Sequence, residues 1–178
     1  MATPEGWTGD IFWPDGRLRL DVLNETAAAV LREAMRLAQE TNWDRLRSPH
    51  VFMGLLAVPD AGVRNWGERL GADLPRLLGQ FQELFQQKAS DAAAVFLNRE
   101  FLSDNVIRLL REARQRAADH QRSRVTPMDL LISILTPPKS IFAECFEHIG
   151  VTAAKLTEWA VLAEHRGRDN ERGEKTKK

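Results

Sequence analysis

Three places in the chain hold side chains whose types and spacing could do chemistry. His50 follows Ser48-Pro49 in LRSPHVFMGLL, residues 46–56, where it could act as a general base or a metal ligand. Cys145 and His148 are three apart and would share one face of a helix, as two metal ligands do. Glu33 and Glu112 each follow an arginine, Arg32 and Arg111, and offer carboxylates for acid–base work. None of these sets is complete. No serine, cysteine and carboxylate constellation accompanies His50, so it reads as a polar group in the first turn of a helix. Cys145 and His148 have no second pair of ligands nearby in sequence and read as core. The Arg-Glu pairs recur at matching places and fit ion pairs on helix surfaces. The nearest approach to a phosphate-binding loop is GRDNERGEKT, residues 167–176. There Gly167 and Gly173 are one residue too far apart, Glu174 stands where lysine should follow, and no strand precedes it. No catalytic residue, metal or cofactor is assigned.

The totals narrow the classes further. The chain has 178 residues, 43% hydrophobic and 28% charged, ordinary for a globular protein of one domain or two small ones. Lys plus Arg and Asp plus Glu are 25 each, so no global field draws it to nucleic acid or an anionic membrane. Cys145 is the single cysteine, which excludes an internal disulfide and any CxxC metal site and fits a reducing compartment. No apolar run is long enough to cross a bilayer, and Met1 leads into polar residues, so a cytoplasmic location is expected.

The elements that must position these residues come in two copies. At an offset of 79, residues 23–80 match residues 102–159 without a gap, with twelve of 58 positions identical. Composition alone would give about four. LREAMRLAQE, 31–40, falls on LREARQRAAD, 110–119, and His50 falls on Asp129. Within each copy Val30, Leu31, Ala34, Leu37 and Ala38, or Val106, Leu109, Leu110, Ala113 and Ala117, recur at helical spacing after a capping Asn24 or Thr26, or Ser103. A second helix opens at Ser48-Pro49 and at Thr126-Pro127, with a hydroxyl to accept from free N–H groups and a proline suited to the first turn. A third ends at Leu70 and Ile149, each followed by glycine, and a fourth carries Leu74, Leu77, Leu78, Phe81, Leu84 and Phe85, or Leu156, Trp159 and Leu162. The expected fold is all-α: two tandem four-helix repeats related by a pseudo-two-fold.

The expected organisation is an N-terminal extension over 1–21, a duplicated helical domain over 22–165 and a charged, disordered tail over 166–178. Within the domain, repeat one spans 22–85, a linker 86–100 and repeat two 101–162. The extension contains DIFWPDGRLRLDVL, whose Pro-Asp-Gly turn predicts a small hairpin. Its aromatics Trp7, Phe12 and Trp13 either pack across the helices or meet a partner. Trp43 and Trp66 have no aromatic twins, the asymmetry of a one-sided docking surface.

This tandem order resembles the N-terminal domain of the Clp family of ATP-dependent unfoldases, the Clp repeat domain. The likeness rests on LREAMRLAQE, SPHVFMGLL and RLGADLPRLL in the first copy and LREARQRAAD, TPMDLLISIL and HIGVTAAKL in the second, about residues 22–162. The resemblance implies a substrate- and adaptor-docking module rather than a catalyst. Some family members carry a glutamate between the Thr and His of each repeat and hold phosphoarginine with the two carboxylates. The matching positions here are Pro49 and Met128, so no bidentate partner for a guanidinium is present and that activity is not carried over.

The expected function is therefore non-catalytic protein binding, linked to regulated proteolysis or protein quality control. The partners would be a protein substrate, an adaptor or a Clp ATPase or protease component, with no nucleic acid or membrane, and the chain is expected to be a monomer. Ser48, Pro49, His50, Thr126, Met128 and Asp129 at the two helix openings, with Phe12 and Trp13, are the candidate contact residues. The alternative is that this chain is the front piece of a Clp-type ATPase whose catalytic domains lie elsewhere.

Overall fold

A computed structural model describes residues 10–71, 73–86, 96–136 and 154–164. Its regular elements are helices: α1 (Glu25–Glu40), α2 (Ser48–Ala57), α3 (Ala61–Leu70), α4 (Leu74–Leu84), α5 (Asp104–Asp119), α6 (Pro127–Leu135) and α7 (154–164). Among the described residues there is no strand longer than an isolated bridge, and no helix is long and apolar enough to cross a membrane.

The caps of α1 and α5 follow from their first residues. Asn24 Oδ1 accepts from the Ala27 N–H at 2.8 Å, and Ser103 Oγ accepts from the Val106 N–H at 3.2 Å, each filling one of the donors that a helix start leaves open. The apolar stripes of both helices are buried as their spacing predicts. Both helices also end alike: Asn42 and Gln121, 79 apart, take left-handed backbone at φ 65° and 59°. Gly71 closes α3 in the same region at φ 72°. α1 and α2 cross so closely that a Cβ on Gly54 would stand 2.5 Å from the Val30 carbonyl oxygen; the corresponding place in α6 is Ser133.

The two copies interlock reciprocally. The Asn24 N–H donates to the Val125 carbonyl at 2.9 Å and the Val125 N–H to the Val22 carbonyl at 2.8 Å. The Ser103 N–H donates to the Leu46 carbonyl at 3.0 Å and the Leu46 N–H to the Phe101 carbonyl at 2.7 Å. Shifting every residue by 79 exchanges one pair of bonds for the other, the pattern a two-fold relation requires.

The N-terminal segment forms the expected turn. The Trp13 N–H donates to the Arg17 carbonyl at 2.8 Å and the Gly16 N–H to the Trp13 carbonyl at 2.9 Å, with Gly16 at φ 93°, a conformation glycine reaches without strain. Phe12 and Leu18 bridge across it, but Leu20–Val22 turns into a 3-10 segment, so the hairpin is only one pair long. The end of the expected linker joins it: the Leu18 N–H donates to the Leu97 carbonyl and the Arg99 N–H to the Gly16 carbonyl.

Candidate functional site

The opening of α2 is built differently from what its hydroxyl indicates, whereas that of α6 is capped by its hydroxyl as expected. Ser48 is already inside the helix; the capping residue is Arg47, and the ring of His50 closes the turn, its Nδ1 accepting from the Arg47 N–H at 2.9 Å. In α6 the cap is Thr126, whose Oγ1 accepts from the Asp129 N–H at 3.3 Å while Asp129 Oδ2 accepts from the Thr126 N–H at 2.8 Å. His50 and Asp129 thus occupy equivalent third positions and reach back to the chain entering each helix. Both side chains are 0% exposed, and Met128 is buried against α3, where a Cβ on Gly62 would overlap it. Ser48, Pro49 and Thr126 are half-buried. Burial makes His50, Met128 and Asp129 supports of the openings, with Ser48, Pro49 and Thr126 the groups nearer solvent.

Around these two residues the copies use opposite chemistry. Asp129 Oδ1 accepts from Arg116 Nη1 at 2.7 Å and Arg122 Nη2 at 2.6 Å, and Oδ2 takes a short bond from Arg122 Nη1. Arg116 also holds Glu164 at 2.7 and 2.9 Å. Burial alone would raise the Asp129 carboxyl, but the bonds from Arg122, the Thr126 N–H and Arg116 outweigh it and hold it below its usual range; Glu164 is lowered in the same way. Shifted by 79, Arg116, Arg122, Asp129 and Glu164 become Leu37, Trp43, His50 and Phe85. In the first copy Trp43 meets His50 edge-on at 5.3 Å between ring centroids and donates through Nε1 to the Phe85 carbonyl. A four-residue ion cluster in one half replaces an aromatic and aliphatic cluster in the other.

The environment of His50 makes stability depend on pH. Burial, aided by the Arg47 charge, lowers its pKa to about 4 from 6.5. The unfolded chain therefore binds a proton between those values that the folded chain does not, and stability falls as pH drops from about 6.5 toward 4. The whole effect is about 3 kcal/mol. Urea titrations at pH 7.5 and 5 should show about 2 kcal/mol of this loss in the parent chain and little of it in His50→Asn, which retains an acceptor for the Arg47 N–H. An equal loss in both would remove His50 as the cause.

The aromatic residues divide sharply. Trp66 is wholly buried, donating through Nε1 to the Leu156 carbonyl at 3.1 Å and meeting Phe52 edge-on, so it joins the copies internally and presents no docking surface. Trp43 is half-buried and Phe12 is buried. Trp13 is 42% exposed beneath the Arg19 guanidinium, and Phe96 is 55% exposed. These two line a cleft of about 530 Å³ with Arg17, Leu18, Leu20, Asp21, Arg32, Met35, Leu97 and Asn98. Arg17 is paired with Asp15 and Asp21 with Arg19, whereas Arg32 has no ion-pair partner among the described residues. Sequence reasoning found Trp13 but missed Phe96 and Arg32, because their neighbourhood is made by the hairpin joining the linker.

In the two Arg-Glu pairs of the sequence, the ion pairs of Glu33 and Arg111 run to other residues. Glu33 bonds Arg36 one turn on, and Arg111 bonds Asp10. Glu164, at the C-terminal end of the helical domain, is a buried member of the ion cluster. Among the described residues no three His, Cys, Asp or Glu side chains converge to hold a metal. Trp7, Cys145, His148, the loop-like stretch 167–176 and the tail lie outside the described residues.

No family model matches the chain, and no curated protein does. Solved structures do. The N-terminal domain of the caseinolytic protease associated chaperone ClpD from Arabidopsis thaliana is 14% identical, with a TM-score of 0.62 over 83% of this chain and 97% of that one. The N-domain of ClpV from Vibrio cholerae is 17% identical, with a TM-score of 0.61 over 81% of this chain and 86% of that one. A ClpV N-domain in complex with a VipB peptide is 18% identical, with a TM-score of 0.61 over 92% and 96%. The chain has the all-α fold of Clp N-terminal domains.

Proposed function

We propose that this chain is a protein-docking module that binds a segment of another protein and performs no chemistry on it. Its partners are a substrate, an adaptor or a Clp ATPase or protease component, in a setting of regulated proteolysis or protein quality control. The observation that carries this reading is the Trp13 cleft, which exposes two large aromatic side chains beside Arg32, an arginine with no ion-pair partner among the described residues, on a fold similar to one solved with a bound peptide. Exposed aromatics clustered beside charge are characteristic of contact surfaces, and burying them supplies most of the binding energy. Ser48, Pro49 and Thr126 would form a second contact region if one partner spans both openings.

An array of immobilised peptides of varied sequence, probed with the purified chain, tests the docking reading. A subset of spots should bind the parent chain, and Trp13→Ala should weaken them about tenfold, equivalent to about 1.4 kcal/mol. Uniform background with the parent chain would overturn it. The similar structures include an N-terminal domain described as that of an ATPase, which favours a second reading in which this docking domain is the front piece of such a machine. Reading the coding sequence past Lys178 separates the two.

A further inference from the structure

The register of 79 that relates the two copies gives the Trp13 cleft a counterpart, and that counterpart is filled. Arg32 corresponds to Arg111, Leu20 to Arg99, Met35 to Arg114 and Asn98 to Arg19. On Arg111 lies the carboxylate of Asp10, held through Nε at 3.0 Å and Nη2 at 2.6 Å. The Arg111 bond, with the charge of Arg99, keeps the Asp10 carboxyl below its usual range. The next residue, Ile11, is 2% exposed, and its carbonyl accepts from the Arg19 N–H at 2.8 Å. In this half of the molecule the chain seats an acid followed by a branched aliphatic residue, with a guanidinium for the first and a backbone N–H for the second.

The same guanidinium and backbone N–H stand open in the cleft among the described residues. Arg32 has no ion-pair partner and the Asn98 N–H has no acceptor among the described residues, while Leu20, Met35 and Leu97 give the same cleft an apolar wall. Deepening the docking reading above, and resting on it, we propose that the cleft binds an extended segment of a partner protein carrying Asp or Glu followed by a branched aliphatic residue. Arg32 takes the carboxylate in a two-point bond, the apolar wall takes the aliphatic side chain, and the Asn98 N–H takes the carbonyl of the aliphatic residue. Exchange of Arg99 and Arg114 for Leu20 and Met35 leaves the open seat with fewer cations than its filled counterpart. A single unpaired arginine, with Arg17 already held by Asp15, holds its ligand reversibly, as a docking site must.

The probe is a blocked six-residue peptide, TGDIFA, copied from residues 8–13 with alanine for the final tryptophan, titrated calorimetrically into the full chain. The expected result is binding at least tenfold tighter than for the same peptide with asparagine in place of the aspartate. Arg32→Glu, a change at an exposed position, should retain the helical circular dichroism, lose the aspartate peptide and gain the lysine-substituted one. Unchanged binding by Arg32→Glu would overturn the assignment, since the peptide would then be displacing the Asp10 segment at Arg111. Failure of all three peptides while the array retains bound spots would overturn the acid–aliphatic rule and leave docking intact; failure of both would remove docking itself. A concentration-dependent dimer of the parent chain that the aspartate peptide dissolves would assign the seat to a second copy instead of a partner protein.

Discussion

Asp129→Ala should be the most damaging single change in the molecule, lowering stability by about 3–5 kcal/mol and the melting temperature by roughly 6–20 °C. The carboxylate is fully buried and holds two guanidiniums and the Thr126 N–H at once. Removing it does not merely forfeit those bonds; it leaves Arg116 and Arg122 with positive charge in a site from which water is largely excluded, facing Glu164 alone. The start of α6 also loses its reciprocal cap. Asp129→Asn, which can still accept from Thr126 but carries no charge, should fall between the parent and alanine. Urea denaturation of all three at pH 7 measures the difference, and a loss under about 1 kcal/mol for alanine would mean that the cluster is solvated enough to stand without its centre.

The helical frame was legible because its signals are local. Asn24 and Ser103 cap helices by accepting from the N–H three residues on, the apolar stripes of α1 and α5 repeat within one turn, and Gly71 closes α3 next to its last residue. What escaped depends on contacts distant in sequence. Glu164 stands just before the charged tail, and nothing beside it announces Arg116, 48 residues earlier. Trp66 near a helix end reads as a surface aromatic until α7 supplies the Leu156 carbonyl for its indole. A signal was nonetheless present. In the register of 79, four apolar or aromatic positions of the first copy become two arginines and two carboxylates in the second. Exchanges that balance in sign at four separated places mark a group that is buried together, because exposed positions have no reason to compensate one another. The open cleft was the least legible part, since Phe96 and Asn98 reach Arg32 only through the pairing of the hairpin with the linker.

That compensation leads to the other large effect, which is a rescue. Transplanting the first copy's solution into the second, as Arg116→Leu, Arg122→Trp, Asp129→His and Glu164→Phe together, should yield a protein as stable as the parent or more so, by up to about 4 kcal/mol. Each ion in the cluster loses hydration on folding, and the attractions among them only partly offset that cost, so an apolar set of suitable shape does at least as well. The first copy shows that such a set fits this backbone: Trp43 finds the Phe85 carbonyl, and His50 caps α2 as Asp129 caps α6. The net charge is unchanged, because two of each sign are removed. The four single changes should each destabilise, so their sum and the measured quadruple should differ by several kcal/mol, the coupling expected of residues that act as one unit. A quadruple variant no more stable than Asp129→Ala would show that the two openings share a register but not a shape.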